Sequence, residues 1–312
     1  MSKLALVFPG QGSQQVGMGK AIAEERPEAR QVFEEADGAL GFPLSRLCFE
    51  GPEEELQLTE NTQPAILTTS LALYRALASQ GVEPDFVAGH SLGEYSALVA
   101  AGALRLDDAV VLVRNRGRYM QEAVPVGEGA MAAILGLGLA EVQEVCSQAS
   151  DGEVVEPANL NAPGQTVVAG HAAAVQRASA AAKERGAKRV IPLSVSAPFH
   201  CRLMRPAQHR LERDLANVTV SDLRVPLVSN VDAAWVRTGA EAVDALVRQV
   251  TSPVRWEESV RRLVDEGVDQ FVEVGPGKVL SGLVRKIAEN VRVASIEDPN
   301  GLRRLLAEVT GV

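Results

Sequence analysis

The segment Gly89-His90-Ser91-Leu92-Gly93 sets a serine between two glycines, each two residues away. A short apolar run, Phe86 to Gly89, precedes it and an Ala/Leu-rich helical stretch follows. That context reads as a sharp strand-to-helix turn, in which the glycines remove side chains that would clash and the serine backbone is strained. Ser91 Oγ then stands exposed at a helix N-terminus as a candidate nucleophile. The Leu92 N–H, with the helix dipole behind it, can face an oxyanion forming on an acyl carbonyl. An ordinary Gly-rich turn is the competing reading, and the strand and helix on either side weigh against it.

A serine nucleophile needs a base, and the chain has four histidines. His90 adjoins the serine, so its side chain should leave the turn in another direction. His171 begins an Ala-rich helix and His209 lies among charged residues on an amphipathic one; both read as surface residues. His200, in Ser196-Ala197-Pro198-Phe199-His200, is the base by elimination. Its neighbour Cys201 has no second histidine to activate it and reads as a packed thiol.

A third chemical element is an arginine. On the helix Asp107 to Glu122, residues Ala109, Leu112, Val113, Tyr119 and Met120 share one face, and Arg116 falls in the middle of it. Arg114 and Arg118 fall opposite. A core-facing arginine needs a partner, because breaking a buried pair costs roughly 3–5 kcal/mol. Two readings stay open from the helix alone: a structural ion pair with Asp or Glu, or a bidentate clamp on a substrate carboxylate.

The elements that must position these groups alternate. Leu4 to Phe8 reads as a buried strand ended by Pro9-Gly10. A mostly helical stretch follows, its clearest member running from about Thr62 to Gln80. From 125 to 196 the order becomes βαββαβ, matching a ferredoxin-like unit. Beyond it come a helix at Met204 to Leu215, a strand at Leu227-Val228, helices near 241–250 and 256–265, and a strand at Phe271 to Val274. The expected fold is α/β with a largely parallel sheet, formed by 1–124 and 197–312, plus the inserted unit at 125–196.

Composition bounds the rest. A net charge of −9 opposes a general nucleic-acid binder. The three cysteines Cys48, Cys146 and Cys201 are widely spaced without a CxxC pair, which fits free thiols in a reducing compartment rather than a disulfide framework or zinc site. The apolar run after Met1-Ser2-Lys3 is too short for a signal peptide, and no stretch has the length of a membrane span. A cytoplasmic location is expected, with no membrane association.

An α/β-hydrolase also uses this serine motif, but it places several strands before the nucleophile, and only two are readable here. No acid stands out between Ser91 and His200: Asp107 and Asp108 look like helix-start residues and Asp151-Gly152 like a turn. A backbone carbonyl could orient the imidazole instead. A serine esterase or thioesterase is therefore the alternative reading.

Taken together the chain resembles the malonyl-CoA:acyl carrier protein transacylases of fatty acid synthesis and their relatives in polyketide synthases. The resemblance rests on Phe8-Pro9-Gly10-Gln11-Gly12-Ser13-Gln14, Gly89 to Tyr95, Asn115-Arg116-Gly117, Asn159 to Gln165, Phe199-His200-Cys201, Gln249 to Val254 and Glu273 to Lys278. It implies an α/β-hydrolase-like core with a ferredoxin-like insertion. Ser91 is then the acylated nucleophile, His200 its base, and the Gln11 N–H joins the Leu92 N–H in the oxyanion hole. Arg116 becomes the malonyl clamp, and the Gln249 main-chain carbonyl holds the imidazole. His90, Asn159 and Asn161 are implied as secondary groups near the pocket. Phe199 is similar to malonyl-selecting polyketide enzymes, where many free-standing bacterial enzymes carry serine, so the pathway stays open. Malonyl-CoA and an acyl carrier protein are the implied partners, and no metal or redox cofactor is needed. Carrier proteins of this kind are acidic, and Lys183, Arg185, Lys188 and Arg189 form one cluster that could meet them.

Overall fold

The computed structural model describes residues 2–195 and 197–310. Ser196, the last residue of the expected insertion, lies outside the described residues.

Among the described residues ten strands form two sheets. The larger uses β1 (Lys3–Phe8), β2 (Phe86–Gly89), β7 (Leu227–Val228), β8 (Trp235–Val236), β9 (Val268–Val274) and β10 (Arg292–Ile296), in the order β10-β9-β1-β2-β7-β8. Every neighbouring pair is parallel except β7 with β8, which closes one edge antiparallel. Helices cover both faces, which explains why β1 is a continuous apolar run. Leu6 and Phe8 enter one core, while Ala5 and Val7 enter another on the opposite face. The helix Thr59–Ala78 starts three residues earlier than the sequence suggests and is buried over nearly its whole length. Pro64 lies inside it, in the second turn, where the missing N–H forgoes one i→i−4 bond.

The smaller sheet contains β3 (Gly129–Leu135), β4 (Val155–Ala162), β5 (Gln165–His171) and β6 (Arg189–Pro192), all antiparallel, in the order β4-β5-β3-β6. With the helices Leu139–Ala149 and Ala172–Glu184 this is the βαββαβ arrangement of a ferredoxin-like unit. Ile134, Val142, Val145, Val168 and Ala178 make a core between the sheet and those helices. Its other face, through Met131, Ala158, Val167 and Ala169, joins the main core. Hydrogen bonds from Leu160 N to Val254 O and from Val254 N to Ala158 O tie β4 to the segment after the helix Gly239–Gln249.

One reading of a single residue changes. His171 is half-buried rather than a plain surface residue, because its Nδ1 accepts from the Val154 N–H at 2.9 Å. The strands β8 and β10 and the helix Pro299–Thr310 had no counterpart in the sequence reading. Cys48, Cys146 and Cys201 are free and buried. Among the described residues no helix is long and apolar enough to cross a membrane.

Candidate active site

The carboxyl ends of adjacent parallel strands make the crevice in which such sheets hold ligands. From β1 the chain runs on to Gln11, from β2 to Ser91 and from β7 to Asn230. Ser91 has φ 53°, the left-handed region that a non-glycine residue seldom occupies. The turn needs its glycines for space as well. A Cβ on Gly89 would sit 1.9 Å from the Gly93 carbonyl carbon, and one on Gly93 would sit 2.0 Å from the Phe8 oxygen. Asn230 fastens the turn from the side: its Oδ1 accepts the Ser91 N–H at 2.6 Å, and its Nδ2 donates to the Gly89 carbonyl at 2.6 Å.

His200 enters from the loop that leaves the smaller sheet, also with a left-handed backbone at φ 60°. Its Nε2 lies 2.7 Å from Ser91 Oγ, and its Nδ1 lies 3.0 Å from the Gln249 carbonyl oxygen. A carbonyl can only accept, so Nδ1 carries the proton and Nε2 is left as the acceptor for the serine O–H. Burial, and then the nearby Arg116 charge, push the imidazole down to about 3. A neutral ring that can take a proton is the result.

Arg116 is 2% exposed and, among the described residues, has no direct carboxylate partner. Nη1 donates to Gln63 Oε1 at 2.8 Å, while Nη2 donates to Gln249 Oε1 at 2.9 Å and to Ser91 Oγ at 3.0 Å. All three acceptors are neutral oxygens. The carboxylate nearest in the network is Glu94, whose Oε2 accepts from Gln249 Nε2 at 2.7 Å. Burial raises the Glu94 carboxyl to about 7, although the bonds from Gln249 and Asn230 oppose the rise.

A cavity of about 390 Å³ opens over these groups. Gln11, His90, Ser91, Leu92, Arg116, Asn159, Asn161, Phe199 and His200 all line it, whereas Gln249 stands behind Arg116 and His200. Among the described residues neither the Gln11 nor the Leu92 N–H donates to a protein acceptor. His90 does turn away from the serine, its Nε2 donating to Asn161 Oδ1 at 2.8 Å. Cys201 is fully buried, its thiol donating to the Pro198 carbonyl and pushed up to about 12 by burial. Gln63 and Asn230 were missed from the sequence, where a lone amide residue on a helix or after a two-residue strand gives no signal. Glu94 was visible only as a letter of the serine segment.

A strained serine, a neutral imidazole and a guanidinium without a carboxylate around one oxygen can transfer an acyl group. The family described as Acyl transferase domain matches residues 5–299, which makes the chain an acyltransferase. It is similar to the malonyl CoA-acyl carrier protein transacylase of Bacillus subtilis (strain 168), at 53% identity over 96% of this chain and 95% of that one. Among solved structures, the acyl-carrier-protein S-malonyltransferase of Burkholderia pseudomallei 1710b is 51% identical with a TM-score of 0.95, covering 97% of this chain and 99% of that one. A malonyl-transacylase solved in complex with its type II PKS acyl-carrier protein is 45% identical with a TM-score of 0.96, covering 98% of this chain and 100% of that one. The chain belongs to the malonyl CoA-acyl carrier protein transacylase family.

Proposed function

We propose that this protein moves malonyl from malonyl-CoA to the phosphopantetheine thiol of an acyl carrier protein through an ester on Ser91. The observation that carries this reading is the Arg116 guanidinium, which holds no carboxylate of its own and lies 3.0 Å from Ser91 Oγ. In a malonyl ester only one methylene separates the acyl carbonyl from the free carboxylate. A cation beside the nucleophile is therefore placed for that second carboxylate, and Arg116 can grip it with parallel N–H donors.

His200 Nε2 takes the Ser91 proton while Oγ attacks the thioester carbon. The Gln11 and Leu92 N–H groups receive the developing oxyanion. The C–S bond breaks, and His200 returns the proton to the departing coenzyme A sulfur. The carrier thiol then gives its proton to His200 and attacks the ester carbonyl, and collapse returns the proton to Ser91 Oγ. The Gln249 carbonyl keeps Nδ1 protonated throughout, doing by tautomer control what an aspartate does in a hydrolase triad. His90 and Asn161, bonded to each other, and Asn159 shape the wall of the cavity.

Weighing the intact protein after incubation with malonyl-CoA tests the reading. A long-lived malonyl adduct, absent in Ser91→Ala and discharged by a carrier thiol, is expected. Rapid release of free malonate with no adduct would favour a hydrolase.

A further inference from the structure

Two buried carboxyls, Glu94 and Glu273, remain after Ser91, His200 and Arg116 have been given work. Glu94 is 1% exposed, lies in the first turn of the helix Gly93–Ala100 and makes no hydrogen bond to the serine hydroxyl or the imidazole. Its Oε2 nevertheless accepts from two groups that hold the site together: Gln249 Nε2 at 2.7 Å and the Asn230 N–H at 3.2 Å. Asn230 fixes the Ser91 backbone, and Gln249 reaches Arg116.

A carboxamide has a donor end and an acceptor end, and it can be flipped. The Gln249 donor end faces Glu94 Oε2 and, at 3.0 Å, the Ser91 carbonyl. Flipping it would set an oxygen against a carboxylate and an NH2 against a guanidinium. With the donor end anchored, Oε1 must face Arg116 Nη2. The arrangement also keeps the Glu94 carboxyl one side chain away from the guanidinium. A carboxylate in direct contact would occupy the donors that an incoming carboxylate needs. Glu273, also buried, does not compete for this role, because it is bonded to the N–H groups of Leu280 and Ser281.

We propose that Glu94 is a positioning residue for acyl selection: by orienting the Gln249 carboxamide, it holds Arg116 with Nη2 turned to the serine, where a terminal carboxylate on the acyl group is met. The inference rests on the malonyl-transfer reading above.

The test compares Ser91 acylation by malonyl-CoA and by acetyl-CoA in the wild type, Glu94→Ala, Glu94→Asp and Glu94→Gln, with thermal unfolding of each. Glu94→Ala removes the anchor, and Glu94→Asp keeps the charge but draws the oxygen back by one methylene. Each is expected to lower the malonyl-to-acetyl kcat/KM ratio about tenfold or more. Glu94→Gln can present an oxygen in the same place and is expected to stay within about threefold of the wild type. Should Glu94→Ala fail to fold, Glu94→Asp carries the same reading. Equal loss for both acyl groups, an unchanged ratio, or a Gln variant that falls as far as Ala would each overturn the inference. A wild type that forms no malonyl adduct overturns the transfer reading instead, so the two failures are distinguishable.

Discussion

Arg116 Nη2 and His200 Nε2 converge on one atom, Ser91 Oγ, from 3.0 Å and 2.7 Å. The guanidinium thus has a neutral acceptor that acylation turns into an ester oxygen, so the Nη2 N–H now given to Ser91 can turn to a new partner. Arg116→Ala is expected to lower kcat/KM for malonyl loading about 100-fold, the effect of removing one partner of a buried, hydrogen-bonded charge pair at roughly 3 kcal/mol. Acetyl loading, which offers no carboxylate, should fall by less than about tenfold. Rapid-quench acylation of Ser91 with the two thioesters measures the difference, and equal losses would speak against a clamp.

The same convergence sets a pH dependence. Burial first and the Arg116 charge second disfavour the imidazolium, holding His200 near 3 instead of its ordinary 6.5. Because the neutral ring is the base, activity should persist as pH falls through 6.5 and decline only well below it. Arg116→Ala removes the second of these causes, so its acid limb should move upward toward the ordinary value. The pH profile of acetyl-CoA acylation in both proteins reads this. A wild-type limb centred at 6.5 would contradict it.

The strand-turn-helix around Ser91 was readable because a steric rule demands it: two glycines and an apolar run leave few alternatives. The four-stranded insertion was readable from its rhythm, and its strand order β4-β5-β3-β6 follows from that connectivity. Arg116 stood out because a charge on an apolar helix face requires an explanation. Sequence alone left its partner open, since the acceptors, Gln63 and Gln249, are 53 and 133 residues away. Asn230 follows a two-residue strand and makes its bond to Ser91 across 139 residues. Such contacts are products of the finished fold, and local periodicity carries no trace of them. The left-handed backbone of His200 was equally hidden, because histidine's modest preference for that region does not fix it in Phe199-His200-Cys201.

Close backbone approach makes Gly93 a stability determinant. A methyl there meets the Phe8 carbonyl oxygen at 2.0 Å, and the β1 backbone cannot step aside without disturbing its pairing with β2 and β9. Gly93→Ala is expected to cost roughly 3 kcal/mol or more, among the large effects reserved for overpacked cores. Gly38, inside the helix Pro27–Leu40, has open space where a methyl would point, with no atom within 4 Å. Gly38→Ala should therefore stabilise by about 0.5–1 kcal/mol. Urea unfolding of both variants gives the two signs; a Gly93→Ala midpoint equal to the wild type would contradict the clash.

Strand β6 leads directly into Leu193, Ser194 and Val195 on the cavity wall. Of the four basic residues near it, Arg185 is already paired with Glu144, while Lys183, Lys188 and Arg189 are exposed. We expect Lys188→Glu with Arg189→Glu to slow transfer to an acidic carrier several-fold at low salt, with the effect fading as ionic strength rises. Loading from malonyl-CoA should not change. Carrier-dependent turnover equal to the wild type would remove this surface from consideration.

Phe199 lines the cavity beside His200 and is 9% exposed, so its ring limits the room next to the acyl chain. An α-methyl branch on the malonyl group would have to share that room. Phe199→Ser removes most of the side-chain volume without adding a charge, and the neighbouring imidazole keeps its bond to the Gln249 carbonyl. A pocket distinguishes one methyl by roughly 1–3 kcal/mol, or about 10- to 200-fold. The ratio of methylmalonyl to malonyl loading should therefore rise at least about tenfold in Phe199→Ser. Malonyl loading itself reports whether His200 is still in place and should fall only modestly. Competitive loading from a mixture of the two thioesters, resolved by intact mass, measures the ratio directly. If it stays at the wild-type value while malonyl loading survives, the selection against branching lies elsewhere in the cavity, and Met131 and Val167 on the opposing sheet become the residues to change.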